Sequence, residues 1–277
     1  MLDFNCLERH TDASAKIDDR RRAYSAMELT ELCTDFIKAP YDKWDAGRKQ
    51  ALSDLKEWYT AWDDMCEDWG QLVPEGTDMM KAISLISKIF FDGRLDHVQF
   101  KWETLVQELV NGKPKGDIIY ATTSIPDEDD NSDENRPKIR QDARIRNHTD
   151  PLYDHRAAIF DTLLHECVHA YLGTYACGSE TCECESKTTR DVGKTGHGPT
   201  FFLITTHIAA LFEEDAIDWR FLKPPMSLDY SLEQENRETG NVLRNEDIEK
   251  CAPSFQEHLR GIMRRQLTAR EHSSDSE

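Results

Sequence analysis

The sequence predicts a helix-rich α+β fold with a small antiparallel or mixed sheet and a helical N-terminal region. Three observations carry this expectation. Long segments place apolar residues at three- and four-residue spacing, short segments between them alternate, and one strongly apolar helical pattern runs from His155 to Tyr175. The order of these patterns divides the chain into a helical, acidic N-terminal region (1–75), a central domain (76–220) and a polar C-terminal extension with one short helix (221–277).

In the N-terminal region Leu52, Leu55, Trp58, Tyr59, Trp62, Met65, Cys66 and Trp69 form one stripe of an amphipathic helix. Such a stripe packs on the domain's own core or docks a partner, and the first reading is preferred. Pro74-Glu75-Gly76 ends the pattern. A second helix follows from Met79 to Phe91, then a turn at Asp92-Gly93 and a strand from His97 to Trp102 with Val98, Phe100 and Trp102 on one face. Asp117 to Thr122 reads as another strand. Between Ser124 and Asn135 stand six acidic residues, 127–130 together with Asp133 and Glu134, which repel one another and read as a surface loop. Beyond it Lys138, Arg140, Arg144 and Arg146 share one parity, and Ile139, Ala143 and Ile145 the other. This is a half-buried strand with a basic outer face. Thr200 to Phe212 is an apolar helix whose start follows Pro199, and a short helix is expected over Pro253–Leu267.

The 277 residues carry a net charge of −19, with 38% hydrophobic and 31% charged residues. Such an acidic total gives no bulk argument for nucleic-acid binding, which needs clustered cations against phosphate. No run of eighteen apolar residues occurs, so a membrane span is not expected. The start, Met1 to Cys6, lacks a basic stretch followed by an apolar one, and an intracellular location with reduced thiols is the expectation. Of the eight cysteines, Cys177, Cys182 and Cys184 cluster without paired CxxC spacing, and free thiols in a loop are preferred over a structural zinc there.

Within the strongest helix lies His165-Glu166-Cys167-Val168-His169, an HExxH sequence. Residues four apart are slightly more than one turn apart, so both imidazoles leave the same face and can share one metal ion. Glu166 stands beside the first ligand and reaches the metal's open side. There it can take a proton from zinc-bound water, whose pKa zinc lowers towards ~7, and return it to a leaving amine. Two imidazoles and a carboxylate are costly in an otherwise apolar helix unless they serve a site.

A third ligand must come from elsewhere. The metzincin pattern fails, because Leu172 and Tyr175 stand where Gly and His are required. A gluzincin-type glutamate is offered by Glu180, Glu183 and Glu185, in a Cys- and Ser-rich loop that would not fix their geometry. His197, in Gly196-His197-Gly198-Pro199, is preferred: the glycines permit close approach, and the helix from Pro199 anchors it. His207 reads as a packed or surface histidine.

Leu163 to Leu172 followed by Gly196-His-Gly-Pro-Thr-Phe201 resembles the SprT-like domain, the protease domain of Spartan and its relatives. Ile89 to Leu95, the strand to Trp102 and the strand before the HExxH helix stand in the family's order, so the resemblance spans roughly residues 79–215. It implies a zincin-like metallopeptidase domain whose zinc is held by His165, His169 and His197, with Glu166 as the catalytic base. It also implies protein substrates, among them proteins crosslinked to DNA, a nuclear location and control by DNA. The family's four-cysteine zinc ribbon has no counterpart, since no paired CxxC follows Phe201.

The expected function is therefore zinc-dependent peptide-bond hydrolysis of SprT-like type, with substrate backbone along a nearby strand edge, the one ending near Arg146. Two other readings stand beside it: a non-catalytic, zinc-stapled interaction module, and a zinc hydrolase of small amides.

Overall fold

The computed structural model describes residues 24–65, 74–105, 109–110, 113–114, 121–125, 136–142, 155–177, 190–214, 228–239 and 243–274. The described helices are α1 (Ala26–Lys38), α2 (Ala46–Met65), α3 (Gly76–Phe90), α4 (His155–Tyr175), α5 (Pro199–Phe212), α6 (Leu228–Thr239), α7 (Asn245–Lys250) and α8 (Pro253–Ser274). The strands are β1 (Gln99–Glu103), β2 (Leu109–Val110), β3 (Lys113–Pro114), β4 (Ala121–Ser124) and β5 (Lys138–Asp142). The fold is accordingly α+β, rich in helix, and its three-stranded sheet is mixed. Contacts divide the chain into two units, Ala39–Thr174 and Met1–Lys38 with Tyr175–Glu277.

In the unit Ala39–Thr174, Asp45 starts α2 by accepting the Arg48 backbone N–H at 2.8 Å, which satisfies one of the free donors of the first turn. The stripe expected on this helix is core. Leu52, Leu55, Tyr59 and Trp62 are buried, and Tyr59 meets Phe160 of α4 edge-on with ring centroids 5.8 Å apart. Cys66 and Trp69 lie outside the described residues. Helix α3 buries Met79, Ile83, Ile86 and Phe90 at helical spacing. It closes on Asp92 and Gly93, with φ of 48° and 77°, and Ser87 Oγ accepts the Leu95 N–H at 2.7 Å to hold the turn.

The sheet order is β1-β5-β4, with β1 parallel and β4 antiparallel to β5. Alternation on β5 is as expected over Lys138–Gln141: Ile139 and Gln141 are buried, whereas Lys138 and Arg140 are half-exposed. On the outer face Arg140 approaches Glu103 of β1 at 3.5 Å, an exposed pair of modest worth. One expectation is corrected. A strand edge offered to substrate near Arg146 would require β5 to be an edge, but β5 is bonded by β1 on one side and β4 on the other. Alternation reports which face of a strand is buried, not whether its sides are paired. Arg144, Arg146, the acidic loop 127–134 and residues 117–120 of the second expected strand lie outside the described residues.

Helix α4 is buried almost all round, through Ile159, Phe160, Leu163, Leu164, Val168 and Tyr171. Gly173 permits close packing near its end, since a Cβ there would lie 2.5 Å from Ile125 Cγ1.

In the other unit α5 is the central element, buried along its whole length. Helix α1 packs on it with Ala26, Leu29, Cys33 and Ile37 turned inward. His207 of α5 points Nε2 at the Lys250 carbonyl, 3.1 Å away, and the Thr206 hydroxyl accepts the Ala252 N–H at 3.2 Å. Three helices occupy the C-terminal segment where composition suggests one, and α8 extends well past Leu267. They bury Leu228, Leu232, Ile248, Leu259 and Ile262, whereas Phe255 and Met263 are half-buried and Tyr230 is exposed. No described helix is long and apolar enough to cross a membrane.

Candidate metal centre

Helix α4 carries His165 and His169 one turn apart, and their Nε2 atoms face each other at 3.1 Å. Two nitrogens bound to one tetrahedral zinc at about 2.0–2.1 Å stand roughly 3.3 Å apart, so the pair needs almost no rearrangement to share an ion. His165 is 9% exposed and His169 is half-buried, on an otherwise buried helix.

Glu166 is buried beside this pair at 6% exposure. Thr123 of β4 donates its hydroxyl to Glu166 Oε2 at 2.6 Å and stands 3.1 Å from the Glu166 carbonyl oxygen. Burial pushes the carboxyl up to about 7, with the Thr123 hydrogen bond acting in the opposite sense. Cys167, between the two histidines in sequence, is fully buried, and burial together with the neighbouring Glu166 charge raises its thiol far out of the reactive range.

His197 is held differently. Gly196 has φ of 83°, a backbone conformation that suits glycine, and it delivers His197 just ahead of α5. Gly198 caps α5 in extended conformation with Pro199 next, and its N–H donates to the Val192 carbonyl at 2.7 Å. The imidazole lies edge-on to Phe201, centroids 4.8 Å apart, with Nδ1 at 2.9 Å from the Thr195 hydroxyl. That hydroxyl is 2.6 Å from Oε2 of Glu235, a buried residue of α6.

Among the described residues of their unit His165 and His169 could hold a metal ion between them, each offering one ring nitrogen. Neutral imidazole nitrogens suit a borderline ion such as zinc and fit magnesium or calcium poorly. His207 is engaged elsewhere, on the Lys250 carbonyl, and burial is the first cause lowering its pKa. Glu180, Glu183 and Glu185 lie outside the described residues, as do Cys182 and Cys184, whereas Cys177 is a buried free thiol.

Three polar residues of the site escape sequence reasoning: Thr123, Thr195 and Glu235. Thr195 stands two residues before His197, a weak local signal. Thr123 and Glu235 are 43 and 40 residues from their partners in sequence and carry no motif. Compared with protein-family models, curated proteins and solved structures, the chain finds no match.

Proposed function

We propose that the chain is a zinc metalloendopeptidase of SprT-like type, with His165, His169 and His197 as ligands and Glu166 as general base and acid. The observation that carries this reading is the His165–His169 pair, Nε2 atoms 3.1 Å apart, with Glu166 buried beside it; His197 joins them as third ligand by the family resemblance. A zinc ion held there would supply a Lewis acid for the scissile carbonyl and a water of lowered pKa.

The chain's own residues then divide the work. Glu166, with a carboxyl near 7, is matched to accept a proton from the attacking water at neutral pH and to hand it to the leaving amine. Thr123 occupies Oε2, which leaves Oε1 for that proton. Strand β4, whose Thr123 holds the base, pairs with β5 on one side; among the described residues no strand pairs its other side, which serves as the edge for extended substrate backbone. Substrates of this reading are proteins, those bound or crosslinked to DNA first among them by family resemblance, and the location is nuclear.

The test combines metal analysis with cleavage. Purified protein should carry about one zinc per chain, and Glu166→Gln should keep it while losing cleavage of unstructured and DNA-bound proteins. Cleavage that survives Glu166→Gln contradicts the assigned base. An interaction module with a stapling metal would instead show no turnover on any protein, with or without DNA. Tyr59 and Trp62 of the aromatic stripe that suggested such a module are buried in their own unit.

A further inference from the structure

The geometry points to Glu235 as a positioning residue that, acting through the Thr195 hydroxyl, fixes His197 in the tautomer that binds metal through Nε2. The inference rests on the reading of His197 as a ligand and adds what holds it ready.

Glu235 is 4% exposed, and three donors converge on its carboxylate. The Lys194 N–H reaches Oε1 at 2.9 Å, the Thr195 N–H reaches Oε2 at 2.9 Å, and the Thr195 hydroxyl reaches Oε2 at 2.6 Å. A carboxylate only accepts, so the single hydroxyl proton of Thr195 is committed to Glu235. The same hydroxyl oxygen lies 2.9 Å from His197 Nδ1 and can meet it only as an acceptor. Nδ1 must therefore carry the hydrogen. A neutral imidazole protonated at Nδ1 has its free lone pair on Nε2, the form a metal ligand requires.

The loop is shaped for this contact. Gly193 has φ of 84°, and a Cβ there would stand 2.7 Å from Glu235 Oε2, so a residue with a side chain would displace the carboxylate. With two backbone N–H groups of the loop on the same carboxylate, the charge that sets the tautomer also sets the path of residues 193–197. Partners of this kind, behind a ligating histidine, typically contribute 10- to 100-fold to metal affinity.

The experiment measures zinc affinity of the full chain by chelator competition, and the imidazole nitrogens of the metal-free protein by long-range proton–nitrogen NMR. In the wild type His197 should appear as the Nδ1–H form. Thr195→Val should lower zinc affinity about 10- to 100-fold, and Thr195→Ser, which keeps the hydroxyl, should restore it. Glu235→Gln frees the hydroxyl proton to point at Nδ1, so His197 should shift towards the Nε2–H form with a loss of similar size. Wild-type affinity in both Thr195→Val and Glu235→Gln, beside a weakened His197→Ala, overturns the inference and leaves the ligand reading intact. Undiminished affinity in His197→Ala overturns both.

Discussion

Thr123, on strand β4, and Glu166, on helix α4, are joined by a hydrogen bond of 2.6 Å from hydroxyl to Oε2. The bond ties the proposed base to the strand proposed to hold substrate, so that in this reading the carboxylate and the scissile bond are referred to the same element. Thr123→Val keeps the shape and removes the donor. A hydrogen bond to a charged group contributes about 1.5–3 kcal/mol, and cleavage should fall about 10- to 100-fold at neutral pH with zinc content unchanged. Because the bond holds the Glu166 carboxyl down against burial, its loss should also move the acid limb of the rate profile to higher pH. A rate profile that coincides with the wild type would show that Thr123 does not orient the base.

Glu166 should leave a mark on stability as well. Its carboxyl is raised by burial from 4.5 to about 7, so the folded, metal-free protein holds a proton there that the unfolded chain releases. The stability this gives is fully present below pH 4.5 and is lost as pH rises through 7, a loss of about 3.5 kcal/mol at ~1.4 kcal/mol per unit. Urea unfolding of chelator-stripped protein at intervals between pH 5 and pH 8 measures the slope. In Glu166→Gln, which cannot ionise, that part of the slope should vanish and the variant should be the more stable protein at pH 8.

Metal removal gives an independent check on the ligand set. A ligand that binds only the folded chain stabilises it by mass action, about 4 kcal/mol at a free concentration a thousand times the Kd. Stripping zinc should therefore lower the melting temperature of the wild type. His165→Ala, His169→Ala and His197→Ala should each start near the stripped value and respond little to added zinc. Thermal scans with and without chelator compare them, and a His197→Ala protein that responds like the wild type would remove His197 from the ligand set.

Much of this site is legible in the sequence because its signals are local. The proposed ligands His165 and His169 and the proposed base Glu166 lie on one turn of α4, and the apolar residues around them fix the helix at a period that needs no knowledge of the fold. His197 is marked by a glycine on each side and a proline at the first position of α5. The rest depends on chain segments that meet only in the folded state. Whether β5 is central or an edge depends on its neighbours, so a correct alternation over Lys138–Gln141 came with a wrong expectation about its free side. Helices α6 to α8 bury five scattered aliphatic residues in long polar stretches, too few for a periodic signal. Glu235, which holds the His197 loop, sits in one of them and reads there as one more surface acid.

The glycines around His197 give a prediction in which position, not residue type, decides the sign. A Cβ on Gly198 would lie 2.5 Å from the Asp191 carbonyl oxygen and 2.6 Å from the Gly193 nitrogen, both backbone atoms that cannot turn aside. Gly198→Ala must push α5 and the loop apart, and overpacking of this kind costs about 1–3 kcal/mol. Gly193→Ala adds a left-handed φ of 84° to a clash with Glu235, where the backbone alone costs about 1–2 kcal/mol. At Gly76, on the first turn of α3, a Cβ would meet nothing within 4 Å. Alanine there restricts the unfolded chain at no steric cost and should stabilise by about 0.4–1 kcal/mol. Chemical denaturation of the three variants ranks them. The two loop variants should unfold earlier than the wild type and bind zinc more weakly, while Gly76→Ala should unfold later with its zinc affinity unchanged. A Gly198→Ala protein as stable and as tightly zinc-binding as the wild type would mean that the close packing of 191–198 does not position His197.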